Sequence, residues 1–501
     1  MSARRLSARA LWGLASWALP LAVIFIVTPP LLRSLGAERF GVLMICFVTP
    51  LLAVQFDFGL TSLAVRRLSA LLASGRVDAG QTLTTFAGAM SVLGLALGGL
   101  VWVAAYQLGD GLGFAAILGA ATAAELVRWC SVWIAVSLMT VVPGILARSA
   151  QSFVLITALQ TVSTALLWGG ALALARAGRP MHEVVALGIA LSTSTAAVTT
   201  LAVRRSIDWQ GPWRLDPAML RSGARFSAGM FASQLASAVV YQGDRILVSA
   251  VGSPAAAGVY ALCANVANKA LAAVVALTSF AFPHATGLHA AGSREGVAQF
   301  LDALDRGVIA IVAPLLLPGV FLAAPFFRLW LGDQGTPEVI TVFRILWVAF
   351  CIPAFSVPVS SVVAAHGNAA LPARFAALTA VVVVTAIVIL VPHWSASGAA
   401  IAMLLGLGTS LVFRVVARRS LGLKAPAGQL RFLSGIAIGL ACQLVVLLVA
   451  KNASNWLQWV GGAAAAVTVF YFVRAIFGLL SPEEKQLMDR LAAVRQRPDI
   501  P

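Results

Sequence analysis

Long apolar runs separated by short charged connections set the pattern of this chain. The runs cover residues 11–32, 41–63, 82–106, 113–140, 150–175, 184–203, 226–250, 256–282, 303–325, 338–362, 375–392, 398–416, 432–450 and 456–478. A helix crossing hydrocarbon needs about 20 mostly apolar residues, so the pattern predicts an all-α integral membrane protein with about 14 transmembrane helices. The fourth run is interrupted by Glu125 and Arg128, and the ninth carries Pro314 and Pro318. Those prolines predict a kink whose freed carbonyls must be satisfied by neighbouring helices or water. Arg4, Arg5 and Arg9 precede the first run as in a signal peptide. That run is too long for a signal-peptide core and leads into Pro29 and Pro30 without a small-residue cleavage site, so it reads as an uncleaved first helix.

Composition strengthens this picture. The chain is 60% hydrophobic and 11% charged, against about 45–50% and about 25% for a soluble domain. The net charge of +17 does not point to nucleic acid, because the basic residues fall in the connections. It reads as a topogenic signal, since Lys and Arg accumulate in cytoplasmic loops. With the N-terminus inside, 25 of the 35 Lys and Arg lie on the cytoplasmic side. Six lie outside (Arg33, Arg39, Arg176, Arg179, Arg328 and Lys451) and four lie within spans (Arg128, Arg245, Lys269 and Arg344), with Arg306, Arg414 and Arg474 at the inner ends of their runs counted as cytoplasmic. Both termini are therefore expected in the cytoplasm of a bacterial cell, with the chain in its inner membrane. Cys46, Cys130, Cys263, Cys351 and Cys442 all sit in apolar runs without metal-ligand spacing, which predicts packing residues, with no disulfide and no zinc.

The chain divides into two similar halves. Leu31-Leu32-Arg33-Ser34-Leu35-Gly36 and Phe40-Gly41-Val42 match Leu247-Val248-Ser249-Ala250-Val251-Gly252 and Gly258-Val259-Tyr260. Ala147-Arg148 recurs as Ala373-Arg374, and Val203-Arg204-Arg205-Ser206-Ile207 as Ala417-Arg418-Arg419-Ser420-Leu421. Each pair falls at an equivalent place in the helix order, so the repeat is parallel, about an axis along the membrane normal. The expected organisation is an N-terminal six-helix lobe over 1–203, a cytoplasmic linker over 204–225 and a pseudo-symmetric six-helix lobe over 226–416. Two additional helices follow over 432–478, then a cytoplasmic tail over 479–501. Within the tail, Ser481-Pro482-Glu483-Glu484 is a helix-start signal, and Leu487, Leu491 and Val494 share one face of a short amphipathic helix.

The segment Thr28-Pro29-Pro30-Leu31-Leu32-Arg33-Ser34-Leu35-Gly36-Ala37-Glu38-Arg39-Phe40-Gly41 resembles the first-loop signature of Wzx-type polysaccharide flippases. Their superfamily also holds MATE exporters and the lipid II flippase MurJ. Asp57-Phe58-Gly59-Leu60, Gly258-Val259-Tyr260 and Pro283 with Leu288-His289-Ala290-Ala291-Gly292 fit the same resemblance, which spans the whole chain in length and helix count. It implies a two-lobed alternating-access transporter for a polyprenyl-(pyro)phosphate-linked oligosaccharide. Its implied partners are that substrate, membrane lipids, and the polysaccharide polymerase and export machinery. The same superfamily leaves a MurJ-like lipid II flippase and a MATE-like small-molecule exporter as alternatives, although MATE chains usually stop near twelve helices. A membrane-embedded polymerase or glycosyltransferase would need acidic motifs and a sizeable external loop, and neither is visible. No GxxxxGK[ST] loop occurs, so no ATP hydrolysis, enzyme activity or cofactor is expected.

A charge in the middle of a membrane helix costs about 2.5–3.5 kcal/mol on insertion scales, so each calls for a reason. Lys269 lies about 20 Å along its span, near the midplane. Glu125 and Arg128, three apart, form either a self-neutralising pair or part of a cavity. Lys269, Arg128 and Arg245 are the candidate contacts for an anionic head group. Asp57, Glu125 and Asp244 are the candidate ion-coupling carboxylates, with a tether at a helix end as the competing role for Asp57. The five histidines are scattered in or near loops and form no constellation.

Overall fold

Inside hydrocarbon a backbone has to satisfy its own N–H and C=O groups. This chain does so with helices, and no strand occurs among the described residues. The computed structural model describes residues 3–73, 79–149, 153–204, 216–278, 294–366, 370–423 and 429–480, together with residues 281, 285, 288 and 368. In chain order the helices are α1 (Ala3–Gln55), α2 (Leu60–Ala73), α3 (Ala79–Val103), α4 (Ala105–Gly111), α5 (Phe114–Leu118), α6 (Ala120–Met139) and α7 (Val141–Ser149). Then come α8 (Phe153–Arg176), α9 (Met181–Arg204), α10 (Pro217–Ala238), a π-turn over Val239–Gly243, α11 (Asp244–Val251) and α12 (Pro254–Leu277). The last group is α13 (Arg294–Phe321), α14 (Ala323–Leu331), α15 (Pro337–Ala354), α16 (Val357–Ala365), α17 (Ala370–Ser420), α18 (Gln429–Ala450) and α19 (Trp456–Ile476). Eleven described helices are long and apolar enough to cross a membrane. Two of these are broken within, at Gly36 (φ 74°) and at Ser395 (φ 50°).

Contacts divide the chain into a first unit, Met1–Gly258, and a second, Val259–Pro501. The seventh predicted span packs with the first unit, where α10 meets α1 and α2. Residues 205–215 of the linker expected over 204–225 and the tail helix expected after Ser481 lie outside the described residues. α10 opens inside the expected linker, where the Asp216 carboxylate accepts from the Ala218 and Met219 N–H groups at 3.0 and 3.2 Å and Pro217 follows. Aspartate at the cap and proline in the first turn is a favoured helix start.

In the first unit, small residues bring backbones together. Gly94 and Gly98 on α3 face α6 so closely that a Cβ at either would lie 2.8 Å from a carbonyl oxygen, that of Ala135 or Ser131. This four-residue spacing of glycines is a common way to pack membrane helices, where dispersion between close backbones drives association. Gly41 on α1 meets Pro254 and Gly258 at the start of α12, where a Cβ at Gly258 would lie 2.9 Å from the Gly41 Cα. These two glycines are the ones that the internal repeat matches. Pro50 in α1 removes the donor for the Cys46 carbonyl, and the Thr49 hydroxyl supplies one at 2.9 Å.

In the second unit, α17 folds back on itself at Ser395. Thr379 and Thr409 hydroxyls meet at 2.6 Å across the two arms, and Gly406 receives the Val383 side chain. The arms correspond to the predicted spans 375–392 and 398–416. The predicted span 338–362 is broken between α15 and α16, at Phe355 and Ser356. The second arm of α17 fastens this break: Arg414 donates to the Phe355 carbonyl, and the Ser356 hydroxyl donates to the Ser410 carbonyl at 2.7 Å.

The α3–α6 crossing gives a direct test. Gly98→Val should force the helices apart and cost about 1–3 kcal/mol through overpacking. Gly99→Val, one residue on, meets nothing within 4 Å and should leave stability unchanged. Melting of the purified protein in detergent checks the contrast, and equal melting temperatures for the two variants would refute it.

Candidate functional site

The charged residues of α6 are sorted by what lies beside them. Arg179 and Glu183 pair across one helical turn at 2.8 Å and close the turn that opens α9. His182 in that first turn reaches α6, where its Nδ1 lies 3.5 Å from a Glu125 carboxylate oxygen. Trp129 stacks on the same imidazole, with ring centroids 5.9 Å apart and planes 11° apart. Glu125 therefore turns toward His182, and the self-neutralising Glu125–Arg128 pair is replaced by an interhelical one. The scattered histidines did supply one partner after all.

Arg128 is left to aromatic neighbours. Its guanidinium carbon lies 5.7 Å from the ring centroid of Trp102 and 5.3 Å from that of Tyr106. Both rings are about half exposed. Among the described residues its Nε has no hydrogen-bond partner and no carboxylate pairs with the guanidinium. Cation–π attraction of about 0.5–2 kcal/mol holds such a group while leaving its N–H donors open. A planar guanidinium fork with open donors matches a carboxylate or phosphate in bidentate fashion. Arg128 sits near the middle of α6. α6 begins at Ala120 after a break at Gly119 (φ 83°), which leaves Arg128 about 12 Å from the helix start.

The other predicted residues are distributed as follows. Asp57 is buried at the break between α1 and α2, where its two carboxylate oxygens accept from Gly59 N–H at 2.7 Å and Thr61 N–H at 3.0 Å. Phe58 and Gly59 there have positive φ, and the carboxylate holds that turn. This is the helix-end tether that competed with ion coupling. Asp244 is buried, opens α11 after the π-turn, and accepts from the Arg245 N–H at 2.9 Å. Single π-turns inside helices recur at functional positions. Arg245 and Lys269 are half-buried, Lys269 about 22 Å along α12. Thus Asp57, Glu125, Arg128, Asp244 and Arg245 belong to the first unit, and Lys269 to the second.

The first unit also holds an apolar cavity of about 250 Å³ between α1, α3, α6 and α11. Val127, Cys130 and Ile134 line it from α6, Cys46 from α1, Phe56 from the turn that follows α1, and Ile246 from α11, next to Arg245. Among the described residues no group of three His, Cys, Asp or Glu side chains could hold a metal ion.

Sequence reasoning missed one charged cluster, in the second unit. Asp305 is 4% exposed and pairs with Arg414 and Arg418 at 2.7 Å each, and Arg418 also pairs with Asp302 at 2.6 Å. The signal was present as Asp302 and Asp305 three apart and Arg414 and Arg418 four apart. It was absorbed into the count of cytoplasmic basic residues.

The long apolar helices define a multi-pass membrane protein. Its fold is shared with the lipid II flippase MurJ in an inward closed conformation, at TM-score 0.68 and 14% identity over 93% of this chain and 98% of that one. It is also shared with a multidrug resistance MATE family transporter of the MOP superfamily in its inward-facing conformation, at TM-score 0.61 and 15% identity over 81% and 94%. The outward-facing conformation of a transporter of that description matches at 0.52, with 16% identity over 83% and 92%. Residues 31–340 match the family described as polysaccharide biosynthesis protein, and the chain belongs to that family. No curated relative matches it in sequence.

The capping geometry of Asp57 separates its two roles. Asp57→Ala removes both acceptors and should cost about 1 kcal/mol, while Asp57→Asn keeps one acceptor and should cost less. Melting of the purified variants checks the order, and equal losses would remove the capping role.

Proposed function

We propose that this chain is an alternating-access flippase. It moves a polyprenyl-(pyro)phosphate-linked oligosaccharide from the cytoplasmic to the periplasmic leaflet of a bacterial inner membrane, coupled to an ion. The observation that carries the reading is the Arg128 guanidinium, held between Trp102 and Tyr106 with no acceptor among the described residues. An anion arriving from the cargo supplies what that group lacks. Low dielectric strengthens the attraction, since water competes poorly for either partner. Membership of the polysaccharide biosynthesis family and a fold shared with a lipid flippase support the same cargo class. Lys269 and Arg245 are the further cations assigned to the head group. Glu125, which faces the His182 imidazole of the neighbouring helix at 3.5 Å, is the leading coupling carboxylate, ahead of Asp244 and Asp57. A unit delivered outside would pass to a polymerase and export machinery.

A lipid II-type cargo is the second reading, favoured by the end-to-end structural match with MurJ. Complementation of cells depleted of their lipid II flippase distinguishes the two: growth supports lipid II, and lysis with intact polysaccharide export supports the first reading.

Two experiments test the proposal. Arg128→Ala and Lys269→Ala should each lower repeat-unit export at least about tenfold, the effect of losing roughly 1.4 kcal/mol of binding. Lys269→Arg should be partly tolerated if it acts as a point charge. Export is normalised to folded protein in the membrane, and full export by both alanine variants would refute a head-group role. Reporter fusions at Asp110 and Gly335 should read periplasmic. Fusions at Ser74 and Asp208, outside the described residues, should read cytoplasmic. A reversed pattern would overturn the N-in orientation.

A further inference from the structure

Proline inside a helix leaves the carbonyl four residues earlier without its donor. In α13, Pro314 deprives the Ala310 carbonyl and Pro318 deprives the Pro314 carbonyl. Each of these two carbonyls has a replacement donor. The Tyr471 hydroxyl of α19 donates to Ala310 O at 2.8 Å, and the Gln443 Nε2 of α18 donates to Pro314 O at 2.7 Å. The match is one donor for each proline, in register, and both come from the two helices that follow the internal repeat.

Gln443 makes the purpose plain. It is fully buried, and its Oε1 has no hydrogen-bond partner among the described residues. An unpaired buried acceptor is destabilising, so the residue is explained by the donor on its other atom. Apolar packing already joins the helices: Ala313 of α13 clusters with Phe432 and Ile436 of α18 and Phe470 of α19. The two hydrogen bonds therefore add shape to an attachment that exists without them. Beside these prolines the Trp347 indole is seated against Gly319, and its Nε1 donates to Leu315 O at 3.2 Å.

A helix missing two successive backbone bonds is soft, and kinks of this kind serve as hinges unless neighbours fix them. We infer that Tyr471 and Gln443 are positioning residues that lock α13 in one bent shape, and that cargo transport requires this shape. α18 and α19 are then a brace on the half that carries Asp302 and Asp305 on the same helix. The transport clause rests on the flippase reading above; the lock does not.

Spin labels at Gln299 and Val320, which bracket both Pro314 and Pro318, read the lock in the purified full chain. The wild type should give a narrow distance distribution, and Tyr471→Phe or Gln443→Leu a broader one. Register supplies the control. Pro314→Ala returns a donor to Ala310 O, so it should restore the melting temperature of Tyr471→Phe but not that of Gln443→Leu. Pro318→Ala should do the converse. Each single donor variant should also lower export about tenfold at normal membrane levels, while the proline revertants regain stability without regaining export. Unchanged distance widths, or rescue regardless of register, would overturn the lock. Full export by both donor variants, or by the revertant pairs, would overturn the positioning role. A wild type that exports no repeat unit would instead sink the flippase reading, and the distance widths would still decide the lock.

Discussion

A carbonyl without a donor is the expense this molecule is organised around. In water an interrupted helix can turn to solvent, but in hydrocarbon each freed group needs a protein partner. The interruptions are many, and their solutions are local and specific. Thr49 answers Pro50, Asp57 answers the break before α2, Arg414 answers the break at Phe355, and Tyr471 and Gln443 answer the two prolines of α13. Where the partner is near in sequence, it is a short hydroxyl or carboxylate. Where it is far, it is a long side chain from another helix, and satisfying the backbone then also fixes how two helices sit.

The charged groups follow the same logic. Asp305 is buried because two guanidiniums are buried with it, and truncating one partner of such a set leaves an uncompensated charge. Glu125 reaches His182 because the α9 turn puts an imidazole beside it. Arg128, three residues on, is left to rings. The contrast matters for function: a cation neutralised by its own protein has little to offer a ligand, whereas one held by aromatic faces keeps its N–H donors in hand.

Much of this was legible in the chain. Apolar run length gave the membrane class, and Pro314 and Pro318 announced that donors would be needed. The segment around Arg33 and Gly36 resembled Wzx-type polysaccharide flippases, and the family match is to polysaccharide biosynthesis proteins. Partner identity was not legible, because it depends on which helices adjoin. Nothing in the spacing of Glu125 and Arg128 says that residue 182 is closer than residue 128. The hairpin at Ser395 was visible as two short runs, but the break at Gly119 was hidden in one continuous run.

The hold on Arg128 has a property that an ion pair would lack. A carboxylate partner would be lost on acidification and weakened by added salt. The rings of Trp102 and Tyr106 attract the guanidinium through a fixed quadrupole that neither gains a proton at acidic pH nor carries a net charge for counterions to screen. The readiness of the guanidinium for an anion is therefore set by geometry alone, and it carries across the differences in acidity and ionic strength that separate the two faces of a membrane.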